Sequence, residues 1–544
     1  MKASLIKDTP DACASHSSGI ARKIIIAATL IVAAFLLFFR LGHYSLWDDE
    51  TMVALVAKGV LKTGDTSALI DYDNVVAYEN GRLLHNLHDR STPPLATYIT
   101  AASFVLFGKN TWGARIPFAL MGLATIALVL YWARKQSLAI LALVALGMLC
   151  NVTLILLFRQ CRYYAPSILF TTAIAYVYYN WRGGRKQLLL LSLLFAGLFA
   201  ANYLNYVILL PCLLIDYIIW KRREHALNLK DWACLLLPQA IICAPLALIW
   251  NPLKTGQSTL MASNHLADKL RLLYWYFRDL NTCEFYSIAI LVLALVIGIW
   301  KKKTWMVRGC VAFVVYVAAI SFLSPQVVKV TSVADVRYLG PIVPLGVALA
   351  AGVIGFISMK KIWIALPLGV VVFAFSLIYG NWKTRPSTIY AYINELRAPP
   401  PEPYAPVSEW INQHVPVGGT VFVSPNYATY PLMFHAPRAR YAWQLDNRND
   451  PQFANLSPFL FKGEEMPDYL IGFGPFVNEL GRQLQTYNHL NTRYQLVAVV
   501  DALWKDLYRP ELFWRTFTPI LNYPNEAKVF IFKRAPAISL IPGQ

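Results

Sequence analysis

Apolar runs long enough to approach or match the thickness of a bilayer recur along the first 380 residues, at 24–39, 116–133, 137–158, 164–180, 187–202, 204–220, 232–250, 284–300, 309–323, 339–358 and 362–379. A helix rises about 1.5 Å per residue and needs roughly 20 residues to cross a hydrocarbon core of about 30 Å, so the shorter runs must borrow flanking aromatic or snorkelling residues. The pattern predicts a polytopic α-helical membrane protein of about eleven spans. Composition agrees: 57% of the 544 residues are hydrophobic and only 15% charged, well below the roughly 25% of a soluble domain. A single-core soluble enzyme, a disordered chain and a fibre are thereby excluded as classes.

The formal charge of +19 first suggests a nucleic-acid binder, but its placement argues otherwise. From Arg385 onward there are 14 basic and 13 acidic residues, a net of +1, so +18 lies on residues 1–384. It sits in short clusters between the apolar runs: Arg22 and Lys23; Arg134 and Lys135; Arg182, Arg185 and Lys186; Lys221, Arg222 and Arg223; Lys301, Lys302, Lys303 and Arg308; Lys360 and Lys361. If the eleven runs alternate, every cluster falls on one side, and the bias of basic loops makes that side the cytoplasm. The expectation is a multi-pass membrane protein with a cytoplasmic N-terminus, anchored by the uncleaved run 24–39, and no nucleic-acid partner.

The run Pro93–Phe107 tests this parity. Counted as a span it would send every later cluster outside, and its 15 residues reach only about 22 Å. It is therefore placed along the outer interface, together with an amphipathic segment over 50–62, making 41–114 one long periplasmic loop with interfacial helices. Loops of that length inside a membrane protein usually carry function. After a proline-rich stretch, RAPPPEPYAP at 397–406, the pattern becomes that of a soluble α/β fold. Strands are expected at 420–424, 468–473, 494–500 and 529–532, with helices near 406–415 and 476–487. The expected domains are thus a transmembrane unit over 1–384 and a periplasmic α/β domain over 385–544. The eight cysteines include no CxxC pair and read as small buried hydrophobes. Sidedness would also let Cys161 and Cys283 meet as a disulfide.

Polar residues then stand out on the outer side. Asp48, Asp49 and Glu50 follow the first run directly; carboxylates beside lipid must be hydrated, paired or used, and the alternative is a simple cap on the helix over 50–62. His85, His88, Asp89 and Arg90 precede Thr92-Pro93-Pro94. Were a divalent metal ion used, Glu50, His85, His88 and His265 would be its candidate ligands, although this spacing matches no zinc or calcium motif and reads first as a polar loop. Arg159, Arg162 and Arg337 run against the charge bias, so each needs a local reason: a lipid-linked phosphate, which guanidinium grips bidentately, or a carboxylate partner that stitches helices.

SLWDDET (45–51), TPPL (92–95), GARIPFAL (113–120), RYY (162–164) and RYLGPIVPL (337–345), in that order and on one side, resemble the protein mannosyltransferase-like GT-C glycosyltransferases, a superfamily that includes the bacterial lipid A aminoarabinose transferase. The resemblance covers residues 24 to about 380. It implies a GT-C fold, a polyprenyl-phosphate sugar as donor, transfer with inversion, and a catalytic aspartate corresponding to Asp49 of the Asp49-Glu50 pair. The acceptor it implies is a lipid such as lipid A, a glycan or a protein. The aminoarabinose branch carries Glu-Lys before its proline motif where this chain has Ser91-Thr92, so that sugar is not implied. On this reading Asp49, with Glu50, is catalytic, Arg337 and Arg162 hold the donor phosphate, and Asp48, Asp89, Arg90, Tyr163 and Tyr338 line the substrate cavity. The rival class is a transporter or flippase of a lipid-linked substrate, which usually shows internal repeats and broken helices near the midplane.

Overall fold

The computed structural model describes residues 12–252, 265–283, 288–324, 336–374, 389–399, 402–446, 448–487, 493–503 and 527–535. A helix covers the described part of each of the eleven apolar runs. Six are long and apolar enough to span by themselves: α1 (Ala12–Phe38), α4 (Thr111–Ala133), α9 (Tyr203–Glu224), α10 (Leu229–Trp250), α13 (Thr304–Leu323) and the helical segment Arg337–Ile357, whose regular part is α14 (Val343–Ile357). A seventh is broken: α5 (Leu138–Cys150) and α6 (Val152–Phe158) meet at 60°. Asn151 makes the break, its side chain accepting from the Leu154 N–H to start α6 afresh. The other runs form shorter helices: α7 (Tyr164–Tyr179), α8 (Arg185–Ala201), α12 (Ile288–Trp300) and α15 (Ile362–Ala374). Between α10 and α12 lies α11 (Leu266–Cys283).

The segment 41–114 contains two helices, as its pattern predicts. Helix α2 (Asp48–Thr63) follows α1 directly, and α3 (Leu95–Phe107), at about 20 Å, is too short to cross. These helices pack on each other, and α3 also on α4. Between them a two-residue hairpin, β1 (Leu84–His85) and β2 (His88–Asp89), ties the loop together.

The C-terminal part carries the expected strands and helices plus one short extra strand. A five-stranded mixed sheet runs β4-β3-β5-β7-β6, from β3 (Thr420–Ser424), β4 (Arg440–Tyr441), β5 (Tyr469–Phe473), β6 (Tyr494–Asp501) and β7 (Lys528–Arg534). Helices α16 (Ile389–Arg397), α17 (Ala405–His414), α18 (Thr429–His435) and α19 (Val477–Thr486) complete it. This tail is fastened to the 41–114 loop. Asn74 donates to the Ala439 carbonyl and accepts from the Tyr441 N–H, Asn80 and Arg82 both reach Asp446, and α18 lies against α2. Gly81, at φ +84°, sits where a Cβ would strike Leu445 and Phe453, so only glycine lets the two parts close.

Hydrogen bonds and ion pairs also order the two ends of the bundle. At one end Arg308 forms a double bond pair with Asp216 (2.7 and 2.6 Å), Tyr178 donates to the same carboxylate (2.8 Å), and Lys221 meets Glu224 (3.1 Å). Tyr163 and Tyr164 stand at the start of α7, Tyr178 and Tyr179 at its end. The 159–163 turn is therefore about 22 Å from the Arg308 cluster along that helix.

Candidate active site

Three acidic residues open α2, where the first turn's free N–H groups favour negative charge. The cap reading is thus correct as far as it goes, but successive helical residues point about 100° apart, and the two later carboxylates have different fates. Glu50 turns inward and is fully buried. Its Oε1 accepts from Arg115 Nε (2.9 Å) and the Cys161 N–H (2.7 Å), and its Oε2 from Arg115 Nη2 (2.6 Å) and the Trp47 N–H (3.4 Å). Arg115 also donates to the carbonyls of Leu41, Tyr44 and Ser45. One buried fork therefore locks the α1–α2 turn onto α4 and the 159–163 turn.

Asp49 faces the other way, with a side chain 21% exposed. Its Oδ2 meets Arg162 Nη2 at 2.9 Å and Arg337 Nη1 at 3.5 Å, and Arg162 Nη1 donates to the Asp49 carbonyl at 3.0 Å. Oδ1 has no hydrogen-bond partner among the described residues. Residues 288 positions apart in the sequence thus converge, at the end of the bundle opposite the Arg308 cluster. Burial works against the charge on Arg162, and the Asp49 carboxylate is the largest of the groups that together hold it protonated. Tyr163 and Tyr338 are buried beneath the guanidiniums, with Arg162 5.0 Å above the Tyr163 ring and Arg337 5.4 Å above that of Tyr338. They support the arginines.

Other expected site residues do different work. Asp89 accepts from the Ser91 N–H and hydroxyl and from the Thr92 hydroxyl (2.6–2.8 Å), fixing the turn before Pro93-Pro94. Arg90 clamps Asp65 (2.7 and 2.8 Å) and lies over the Trp250 ring, which makes it a stitch. Arg159 is a stitch too, donating to the carbonyls of Leu36 and Leu37 in the last turn of α1 and of Phe39 just after it, each at 2.9 Å. Cys161 is a free thiol buried against Thr100, so it forms no disulfide; the side chain of Cys283 lies outside the described residues.

The proposed metal ligands do not form a site. Both Glu50 oxygens are already occupied, His85 is exposed on the hairpin, His88 sits 3.5 Å from Asp65, and the His265 N–H caps α11 on Asp268. Among the described residues no group of three or more His, Cys, Asp or Glu side chains is placed to hold an ion. These residues do not fit a metal, and no step is derived through one.

The sequence reading missed three contributors. Arg115 lies in the GARIPFAL motif, where an arginine entering an apolar helix signalled a buried partner. Tyr78, from the 41–114 loop, and Tyr430, from α18, stand near Asp48. Enclosure and then the Asp49 carboxylate push the Tyr78 phenol up to about 12; burial and then Asp48 raise that of Tyr430. Neither carries a distinguishing sequence signal.

Residues 91–250 match the family model of dolichyl-phosphate-mannose-protein mannosyltransferases. An uncharacterized protein of Aquifex aeolicus (strain VF5) is 25% identical over 218 residues, 38% of this chain, and the match spans 40% of that relative's length. Among solved structures, ArnT from Cupriavidus metallidurans bound to undecaprenyl phosphate superposes with a TM-score of 0.53 at 12% identity, over 95% of this chain and 98% of the other. The apo state of the same protein gives 0.55 at 13% identity, over 90% and 97%. The likeness is one of fold: the chain shares the overall fold of ArnT and has helices long and apolar enough to cross a membrane.

Proposed function

We propose that this chain is an integral-membrane glycosyltransferase that moves a sugar from a polyprenyl-phosphate donor to a hydroxyl of a lipid, glycan or protein acceptor, with inversion, at the periplasmic face. The observation that carries the reading is the meeting of Asp49, Arg162 and Arg337 at the end of the bundle away from the Arg308 cluster. A prenyl tail holds the donor in the bilayer, so the reacting carbon must lie near an interface. Guanidiniums there bind a phosphate, whose charge rises as the sugar leaves.

The geometry suggests how binding and chemistry connect. Arg162 holds Asp49 through both backbone and side chain, whereas Arg337 touches it only at 3.5 Å. An arriving phosphate draws Arg337 off Asp49 while Arg162 keeps the carboxylate in place. Asp49 then accepts the acceptor's proton as the hydroxyl attacks the anomeric carbon opposite the phosphate, and polyprenyl phosphate leaves on the arginines. Glu50 and Arg115 hold the turn that carries Asp49 and touch no reacting atom.

The test is to incubate the purified protein with a labelled polyprenyl-phosphate sugar and an envelope acceptor fraction. The enzyme yields a labelled glycoside and free polyprenyl phosphate. A carrier or flippase relocates the donor intact, and that result would replace this reading.

A further inference from the structure

A second cleft lies on the other side of the Glu50–Arg115 wall, and neither Asp49, Arg162 nor Arg337 lines it. It measures about 570 Å³ including its open mouth, between the end of α1, the 159–163 turn and α16. Arg40, exposed just after the end of α1, lines it, so on the reading of α1 as the first span it opens where a lipid headgroup would lie.

Its polar lining has an uncommon composition. Arg40 is exposed and has no carboxylate within 4 Å among the described residues. Arg159 likewise has none; its partners are the three carbonyls at the end of α1 and just beyond it, which offset only part of a unit charge. Gln160, only 6% exposed, lines the same cleft with a carboxamide oxygen that is buried and has no donor in the described structure. A buried acceptor without a donor costs free energy unless a ligand supplies one. Glu395 of α16 also lines the cleft.

We infer that this cleft binds a phosphate that carries a neighbouring ammonium or hydroxyl: Arg40 and Arg159 take the phosphate, and Gln160 accepts from the N–H or O–H. Two sources have that chemistry, the headgroup of an aminophospholipid and a phosphorylated amino sugar. The site makes no use of the Asp49 centre, so the inference stands apart from the transfer reaction.

Phosphatidylethanolamine and phosphatidylcholine share a phosphate, but only the first has N–H donors. The full chain, in nanodiscs of the two lipids mixed equally, is released for native mass spectrometry and its retained lipids are counted. Wild type should keep phosphatidylethanolamine in preference by about tenfold, the worth of one buried charge-assisted hydrogen bond. Gln160→Leu should erase the preference, and Arg40→Gln should lower retention of both lipids. Calorimetric titration with glucosamine 1-phosphate tests the second source, and binding that weakens in the same two variants would assign the site to a phosphosugar. Equal retention of the two lipids together with no binding of glucosamine 1-phosphate, or variants that behave as wild type, overturns the proposal.

Discussion

Replacing Arg115 by Met keeps most of the side chain's volume and removes its charge. Glu50 would stay fully buried with two backbone N–H donors, Cys161 at 2.7 Å and Trp47 at 3.4 Å, and without its two guanidinium bonds of 2.6 and 2.9 Å. The carbonyls of Leu41, Tyr44 and Ser45 would lose their donor as well. Breaking a buried pair on one side costs about 3–5 kcal/mol, mostly from the charge left behind. If that account is right, Glu50→Gln added to Arg115→Met should restore about 2 kcal/mol or more, because the carboxamide still accepts from Cys161 and no charge remains. Unfolding of both single variants and the double variant by SDS in mild detergent measures the coupling. Transfer should fall in all three, since the turn bearing Asp49 is loosened in each. Single effects that add to within about 0.5 kcal/mol would refute the reasoning, and would return Glu50 to the list of groups free to act in chemistry.

Asp49→Asn should lower transfer by about 100-fold or more, within the usual range for a proton acceptor, with the fold and donor binding intact; wild-type turnover would remove Asp49 from the mechanism. Arg337→Ala should weaken binding of polyprenyl phosphate about tenfold, read by competition with labelled donor, and a change confined to acceptor affinity would contradict the phosphate role. Burial lowers Lys58 of α2 from its usual value to about 8. The folded state then holds fewer protons than the unfolded chain between pH 8 and about 10.5, so this group's destabilising effect is full below pH 8 and fades as pH rises. Unfolding scans across that window should show a rise in stability that Lys58→Met flattens, and an unchanged slope in the variant would rule out Lys58 as its source.

What was legible in the sequence follows from periodicity and sidedness. The apolar runs became helices because nothing else hides that much hydrocarbon, and the tail strands at 420–424 and 469–473 are short, apolar and bounded by turn residues. The convergence of Asp49, Arg162 and Arg337 was legible as an expectation, because arginines opposing the charge bias need a reason on their own side. The division of labour between Asp49 and Glu50 was not. It depends on which way two adjacent residues face at one helix start, and that is set by Arg115, 65 positions away. The same limit hid the fates of Asp89 and Arg90, whose partners form a local turn and an ion pair, and of Tyr430, which the tail brings to the acidic turn.

The tail therefore bears on the site through fastening as well as through side chains. Glu402, in the linker after α16, accepts from the Ser45 N–H three residues before Asp48 and also from the Ala405 N–H. Lys58, on the next turns of α2, reaches the Phe434 carbonyl and lies 4.0 Å from that ring. The turn bearing Asp49 is thus gripped from the bundle by Arg115 and Arg162 and from the tail by Glu402 and α18. On the proposed function that carboxylate serves a membrane-bound donor and a separate acceptor, and it cannot do so while moving freely with a surface loop. Held from both parts, Asp49 lies at their seam, and that is where the proposed transfer would take place.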